Sequence, residues 1–173
     1  MADALFALID DAGGVSETRR VDPADVATHK LAPDGGPRLR PLVQTPAPAY
    51  APALEARRLT YTVAQHQVEE AWIVERLPIG AQLAAVKTEC GRRIFATLPA
   101  WKQTNFLARA TELTDKRAGG ASLDAGEQAE WDAMQALWNW VKATRAASNA
   151  IEAADPIPLD FTKDELWPTP PGA

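Results

Sequence analysis

Apolar and polar positions follow two periods in turn along this chain: alternation up to about residue 77, then helical spacing from about residue 80. Residues 4–21 hold an apolar run at 5–9, then Asp11-Ala12-Gly13-Gly14, then alternation over 15–21. That order predicts a hairpin whose turn is set by Asp and Gly. Asp22 before Pro23 predicts one or two helical turns over 23–30, with Asp capping and Pro at the first helical position. Residues 39–45 read as a short strand. Pro41 inside it cannot donate a ladder hydrogen bond, which predicts an edge position. Leu59, Tyr61 and Val63 alternate with Arg58, Thr60 and Thr62, and 68–77 carries Val68, Trp72, Ile73 and Val74. An antiparallel pair, 57–64 with 68–77, follows, ended by Pro78.

Beyond it, Leu83, Val86, Cys90, Ile94 and Leu98 form a stripe at spacings of three and four. Pro99 either starts a new helix or kinks this one, because its ring clashes with the carbonyl four residues back. Trp101, Phe106, Leu107, Ala110 and Leu113 continue a helix to about residue 116. Gly119-Gly120 marks a turn over 117–123. Asp124 with Glu127 reads as a capping box. The last helix is expected to reach about residue 154, with Trp131, Met134, Trp138, Val141, Ser148 and Ile151 as its stripe and Leu137 beside it. So short a turn makes its two helices antiparallel neighbours.

Fourteen prolines are unevenly placed. Seven fall at 23–52, five from 156 onward, and only Pro78 and Pro99 between. The expected fold class is therefore α+β: a small β-rich N-terminal unit, a helical hairpin with a preceding or kinked helix, and an extended proline-rich tail. The expected segments are a hairpin and short-helix unit over 1–45 and a Pro/Ala linker over 46–56. A strand pair over 57–78, a helical hairpin over 79–155 and an extended arm over 156–173 follow. The linker composition favours a polyproline II spacer. The arm cannot bury Phe161, Leu166 and Trp167 alone. It either lies back on the protein or docks elsewhere.

Charge narrows the function. The net charge is −5, and residues 1–80 hold 8 basic and 11 acidic side chains against 10 and 12 over 81–173. Neither half carries the cation excess that neutralises phosphates, so no nucleic-acid partner is expected. The pairs Arg19–Arg20, Arg57–Arg58 and Arg92–Arg93 have acids nearby and read as solvated surface or local ion pairs. No window approaches 18 apolar residues, so no membrane insertion is expected, and the acidic start lacks a basic signal region. The protein is expected to be soluble and made in the cytoplasm.

Candidate chemistry is sparse. His29 and His66 fall on different segments without metal-ligand spacing. Asp10–Asp11 and Glu69–Glu70 are adjacent residues, which point to opposite faces in a strand. Gly13-Gly14 and Gly35-Gly36 precede no phosphate-binding motif and read as turns. Cys90, the single cysteine, falls in an apolar stripe and reads as a buried thiol. No catalytic residue, cofactor or metal is expected. Trp131 and Trp138 share a helix face and read as core, whereas Trp140 points elsewhere. Trp72, Trp101, Trp140, Phe161 and Trp167 are the candidate interface residues, since large aromatics anchor interfaces.

The runs PAWKQTNFLARATEL (99–113) and WDAMQALWNWVKATRAASNAIEA (131–153) resemble a C-terminal helical module of tail-fibre, fibre-hinge and tail accessory proteins of tailed bacteriophages. The run PLVQTPAPAYAPALEARRLTYTVAQHQVEEAWIVERLP (41–78) is similar to the proline-marked, Trp-containing strand pair that precedes those helices. The resemblance implies a virion structural protein without catalytic residues. Its partners would be other tail, baseplate or fibre proteins and copies of itself, threefold if it joins a fibre. The chain has no repetitive shaft and no receptor-binding tip, so the implied role is a short adaptor, hinge or baseplate piece located in the virion tail. The rival role is a fibre-assembly chaperone that does not stay in the particle.

Overall fold

The computed structural model describes residues 4–21 and 31–172. The expected helix over 23–30, and His29 with it, lie outside the described residues. The fold is α+β, with a five-stranded sheet followed by three helices. It divides into two compact units, Met1–Arg76 and Leu77–Ala173.

Five strands build the first unit: β1 (Ala4–Ile9), β2 (Val15–Val21), β3 (Leu39–Val43), β4 (Glu55–Val63) and β5 (Val68–Arg76), in the order β2-β1-β3-β5-β4. Both expected antiparallel pairs form, from Ala4↔Val21 to Ile9↔Val15 and from Glu55↔Arg76 to Val63↔Val68. In the first turn, one Asp10 carboxylate oxygen accepts from the Ala12 and Gly14 amides at 2.9 Å each. Gly13 there adopts φ 84°, which a side chain resists. Ala7, Ile9, Ala32 and Val68 form the buried centre.

β3 is not an edge strand. It lies inside the sheet, antiparallel to β1 and parallel to β5. Pro41 is tolerated because β3 changes partners at that residue. Phe6↔Pro41 is the last pair on the β1 side, and Leu42↔Val68 the first on the β5 side. The missing N–H therefore falls at a seam instead of inside a continuous ladder. Nor do the segments expected at 1–45, 46–56 and 57–78 form separate units. Strand pairing across β3 joins them, and β4 begins at Glu55 within the expected linker.

Arg40 ties this unit together. Its side chain is fully buried, donating to the Pro37 carbonyl at 2.8 Å, the Ala64 carbonyl at 2.5 Å and the Asp34 carboxylate at 2.5 Å. One guanidinium thus fastens the 33–37 loop to the β4–β5 turn. The approach needs glycine at position 36, where a Cβ would stand 2.8 Å from the Gln65 carbonyl and 2.9 Å from Arg40 Nη2. Arg40 and the Gly36 amide hold the Asp34 carboxyl below its usual range.

In the second unit, α1 (Ile79–Thr97) and α2 (Ala100–Ala118) follow one another along α3 (Ala125–Glu152), both antiparallel to it. Cys90 Sγ lies 3.9 Å from the Thr144 carbonyl, Arg109 pairs with Glu130 at 2.8 Å, and Lys116 pairs with Glu127 at 2.5 Å. Pro99 separates the first two helices, as one of the two readings of it expected. The Gln103 side chain donates to the Leu98 carbonyl left free there, at 2.8 Å. The capping box at Asp124 and Glu127 starts α3. Cys90 is buried among these helices.

The buried face of α3 departs from expectation. Trp138 is exposed, while Trp140 and Thr144 are buried with Met134, Val141, Ser148 and Ile151. The reason lies after α3: residues 156–172 fold back over it. Ile157, Phe161 and Trp167 are buried, and the Trp140 indole donates to the Pro168 carbonyl at 2.9 Å. The tail is part of the helical unit's core, not a free arm.

Candidate functional site

The helical unit carries the features that bear on function, beginning with the strap made by the tail. Glu89 on α1 is buried and accepts two hydrogen bonds from Arg92 and one from Arg93, at 2.6–2.7 Å. Arg92 chiefly, with Arg93, holds the Glu89 carboxyl below its usual range against the opposing effect of burial. Arg93 then reaches the strap. It donates to the Thr162 carbonyl at 2.7 Å, pairs with Asp164 at 2.9 Å and stacks 5.0 Å from the Trp167 ring. Trp167 donates to the Phe161 carbonyl at 2.7 Å. The strap is thus fastened by one arginine and two indoles over three apolar anchors. An open cleft of about 390 Å³ follows its last turn, between Thr97, Trp140 and Pro170.

Further along the hairpin several large apolar side chains are exposed. Trp101, Leu107, Phe95 and Trp138 are 63%, 65%, 56% and 45% exposed. Two grooves run among them. One, of about 530 Å³, is lined by Leu98, Trp101, Phe106, Met134 and Leu137, with Lys102 and Glu130 at its rim. The other, of about 110 Å³, is lined by Leu107, Trp138 and Val141, with Arg145 at its end. The two grooves share Leu98, Phe106 and Leu137 and open on either side of that line, so each side of the hairpin exposes large apolar side chains.

The five candidate interface residues part company. Trp140, Phe161 and Trp167 are buried within their own chain, Trp140 and Trp167 at the wall of the 390 Å³ cleft. Trp72 lies on the sheet, half-buried, donating to the Thr45 carbonyl at 3.0 Å. Arg57 stacks 5.2 Å from its ring and 4.6 Å from that of Tyr50, and donates to the Pro48 carbonyl at 3.2 Å. The Pro/Ala stretch is therefore seated against the sheet instead of acting as a spacer. Only Trp101 stands open. Sequence reasoning missed Leu107 as surface, although Phe106 and Leu107 lie 100° apart on a helix and cannot share one buried line. It also missed the strap contact of Arg93, which no local pattern announces.

His66 lies exposed in the β4–β5 turn. Among the described residues, no three His, Cys, Asp or Glu side chains gather as a metal site, and no helix is long and apolar enough to cross a membrane. The outer edges of β2 and β4 have no strand neighbour among the described residues. Comparison with known proteins returns no match, whether to a family model, a curated protein or a solved structure.

Proposed function

We propose that this chain is a structural component of a bacteriophage tail, a short adaptor, hinge or baseplate piece that acts by docking and transforms no substrate. The observation that carries the docking role is the exposure of Trp101 in one hairpin groove and of Leu107 and Trp138 in the other. Burying large apolar side chains recovers roughly 1.5–3 kcal/mol each, so a partner on this surface is strongly favoured. The outer edges of β2 and β4, which have no strand neighbour among the described residues, offer a second mode, strand addition by a neighbour. The phage context rests on the resemblance of residues 41–78, 99–113 and 131–153 to tail proteins. Partners on this reading are other tail or fibre proteins and copies of the chain itself.

Quantitative mass spectrometry of purified virions tests the reading. A structural piece is present at a fixed copy number, and the double variant Leu107→Glu with Trp138→Glu is incorporated at least tenfold less while its circular dichroism is unchanged. Presence in infected cells but absence from particles overturns the reading in favour of an assembly chaperone.

A further inference from the structure

Three of the six indoles donate to an acceptor within the chain, and each acceptor is the backbone carbonyl of a proline-bounded irregular stretch. Trp72 donates to Thr45, before Pro46. Trp140 donates to Pro168, and Trp167 to Phe161, three residues after Pro158. A cation stacks on two of these rings, Arg57 on Trp72 and Arg93 on Trp167. Trp72 and Trp140 thus each hold irregular proline-bearing chain by an indole N–H, with a guanidinium stacked on the Trp72 ring. Such chain suits an indole donor because its carbonyls are free of internal hydrogen bonds.

Trp101 has the same parts without the segment. Its ring lies 5.5 Å from Lys102 Nζ, and its indole N–H has no acceptor among the described residues. It lines the open 530 Å³ groove, with Asn105 beside it as a second polar group. Trp131 stacks with Arg117 but lines neither of the two hairpin grooves, and Trp138 lines the smaller one. The groove also continues the bed of the strap. Positions 133, 137, 140 and 144 form one stripe of α3 at helical spacing. The strap covers Trp140 of that stripe, and the next turn back, Ala133 and Leu137, is the floor of the open groove.

We propose that the groove at Trp101 binds an extended, proline-containing, largely uncharged segment of a partner protein, with the Trp101 indole donating to one of its backbone carbonyls. Aromatic-lined grooves that take proline-bearing segments in this manner are a general recognition mode. The inference rests on the docking reading and names the chemistry of one partner.

The test uses the full chain, isotope-labelled, titrated with two synthetic probes: a peptide of residues 44–53 and one of residues 166–172. The expected result is a shift of the Trp101 indole N–H resonance with the Trp138 indole unmoved. Replacing every proline of the probes by alanine weakens binding at least threefold. Trp101→Phe, which keeps the apolar ring, weakens it at least tenfold, and Trp138→Phe leaves it unchanged. An unmoved Trp101 resonance at millimolar peptide, or unchanged affinity in Trp101→Phe, overturns the proposal. So does sedimentation showing that the face is closed by a second copy. The two readings fail separately. Peptide binding at Trp101 by a chain absent from virions removes the tail role and keeps the groove. A virion component whose Trp101 ignores both probes does the reverse.

Discussion

At the scale of single residues, Arg40 and Arg93 each fasten segments far apart in the sequence. Arg40 is the clearer case: two of its three acceptors are backbone carbonyls, and among the described residues its charge is met by Asp34 at the surface. An apolar side chain of similar length fills the same space but leaves both carbonyls without a donor. Each buried unpaired acceptor costs about 1–3 kcal/mol. Arg40→Met is therefore expected to destabilise the sheet unit by about 2–5 kcal/mol. A fall in the urea midpoint, read from Trp72 fluorescence, checks it. No local pattern announces this role, because the acceptors of Arg40 lie on the 33–37 loop and at residue 64, brought together only by the fold. The seam that makes β3 internal is set by pairings with residues 6–8 and 68–69, which no local pattern specifies.

At the scale of elements, local signals were read well and partner choice was not. Asp10 and Gly13 announce their turn, the alternation at 58–63 its strand, and Asp124 with Glu127 the start of α3. What rotates the buried face of α3 from Trp131 and Met134 towards Trp140 and Thr144 is a change of neighbour along its length. A stripe that counts Trp131 and Trp138 as equivalent assumes one straight partner, whereas α3 meets α2, then α1, then the strap. The candidate surface was legible at Trp101 alone, because Trp140, Phe161 and Trp167 differ from it only in what folds over them.

The α1–strap junction carries a pH dependence. The Glu89 carboxyl titrates below its unfolded value of about 4.3, so its stabilisation is present above that pH and is lost as pH falls through the lower folded value. Glu89→Gln removes this contribution. Acid titration by circular dichroism is expected to show a shallower loss of stability below about pH 4.3 in the variant, alongside lower stability at neutral pH. Equal slopes for the two proteins exclude Glu89 as a source of the acid response.

At the scale of the whole chain, the helical unit is a hairpin with a filling. α3, about 42 Å long at 1.5 Å per residue, packs against α1 and α2 in turn. Ile157, Phe161 and Trp167 supply a third layer over part of it. Phe161→Ala is expected to cost about 3–5 kcal/mol, with a lower thermal midpoint at 222 nm and new binding of a hydrophobic dye.

That third layer also imposes an order in time. A chain emerging from the ribosome exposes α1, α2 and α3 before residues 157–167 exist outside it. Until the tail follows, the Trp140 indole lacks its Pro168 acceptor, and Arg93 lacks Thr162 and Asp164. The nascent hairpin therefore offers a longer sticky bed than the finished one, and the strap, arriving late, shortens it to the stretch left for other molecules.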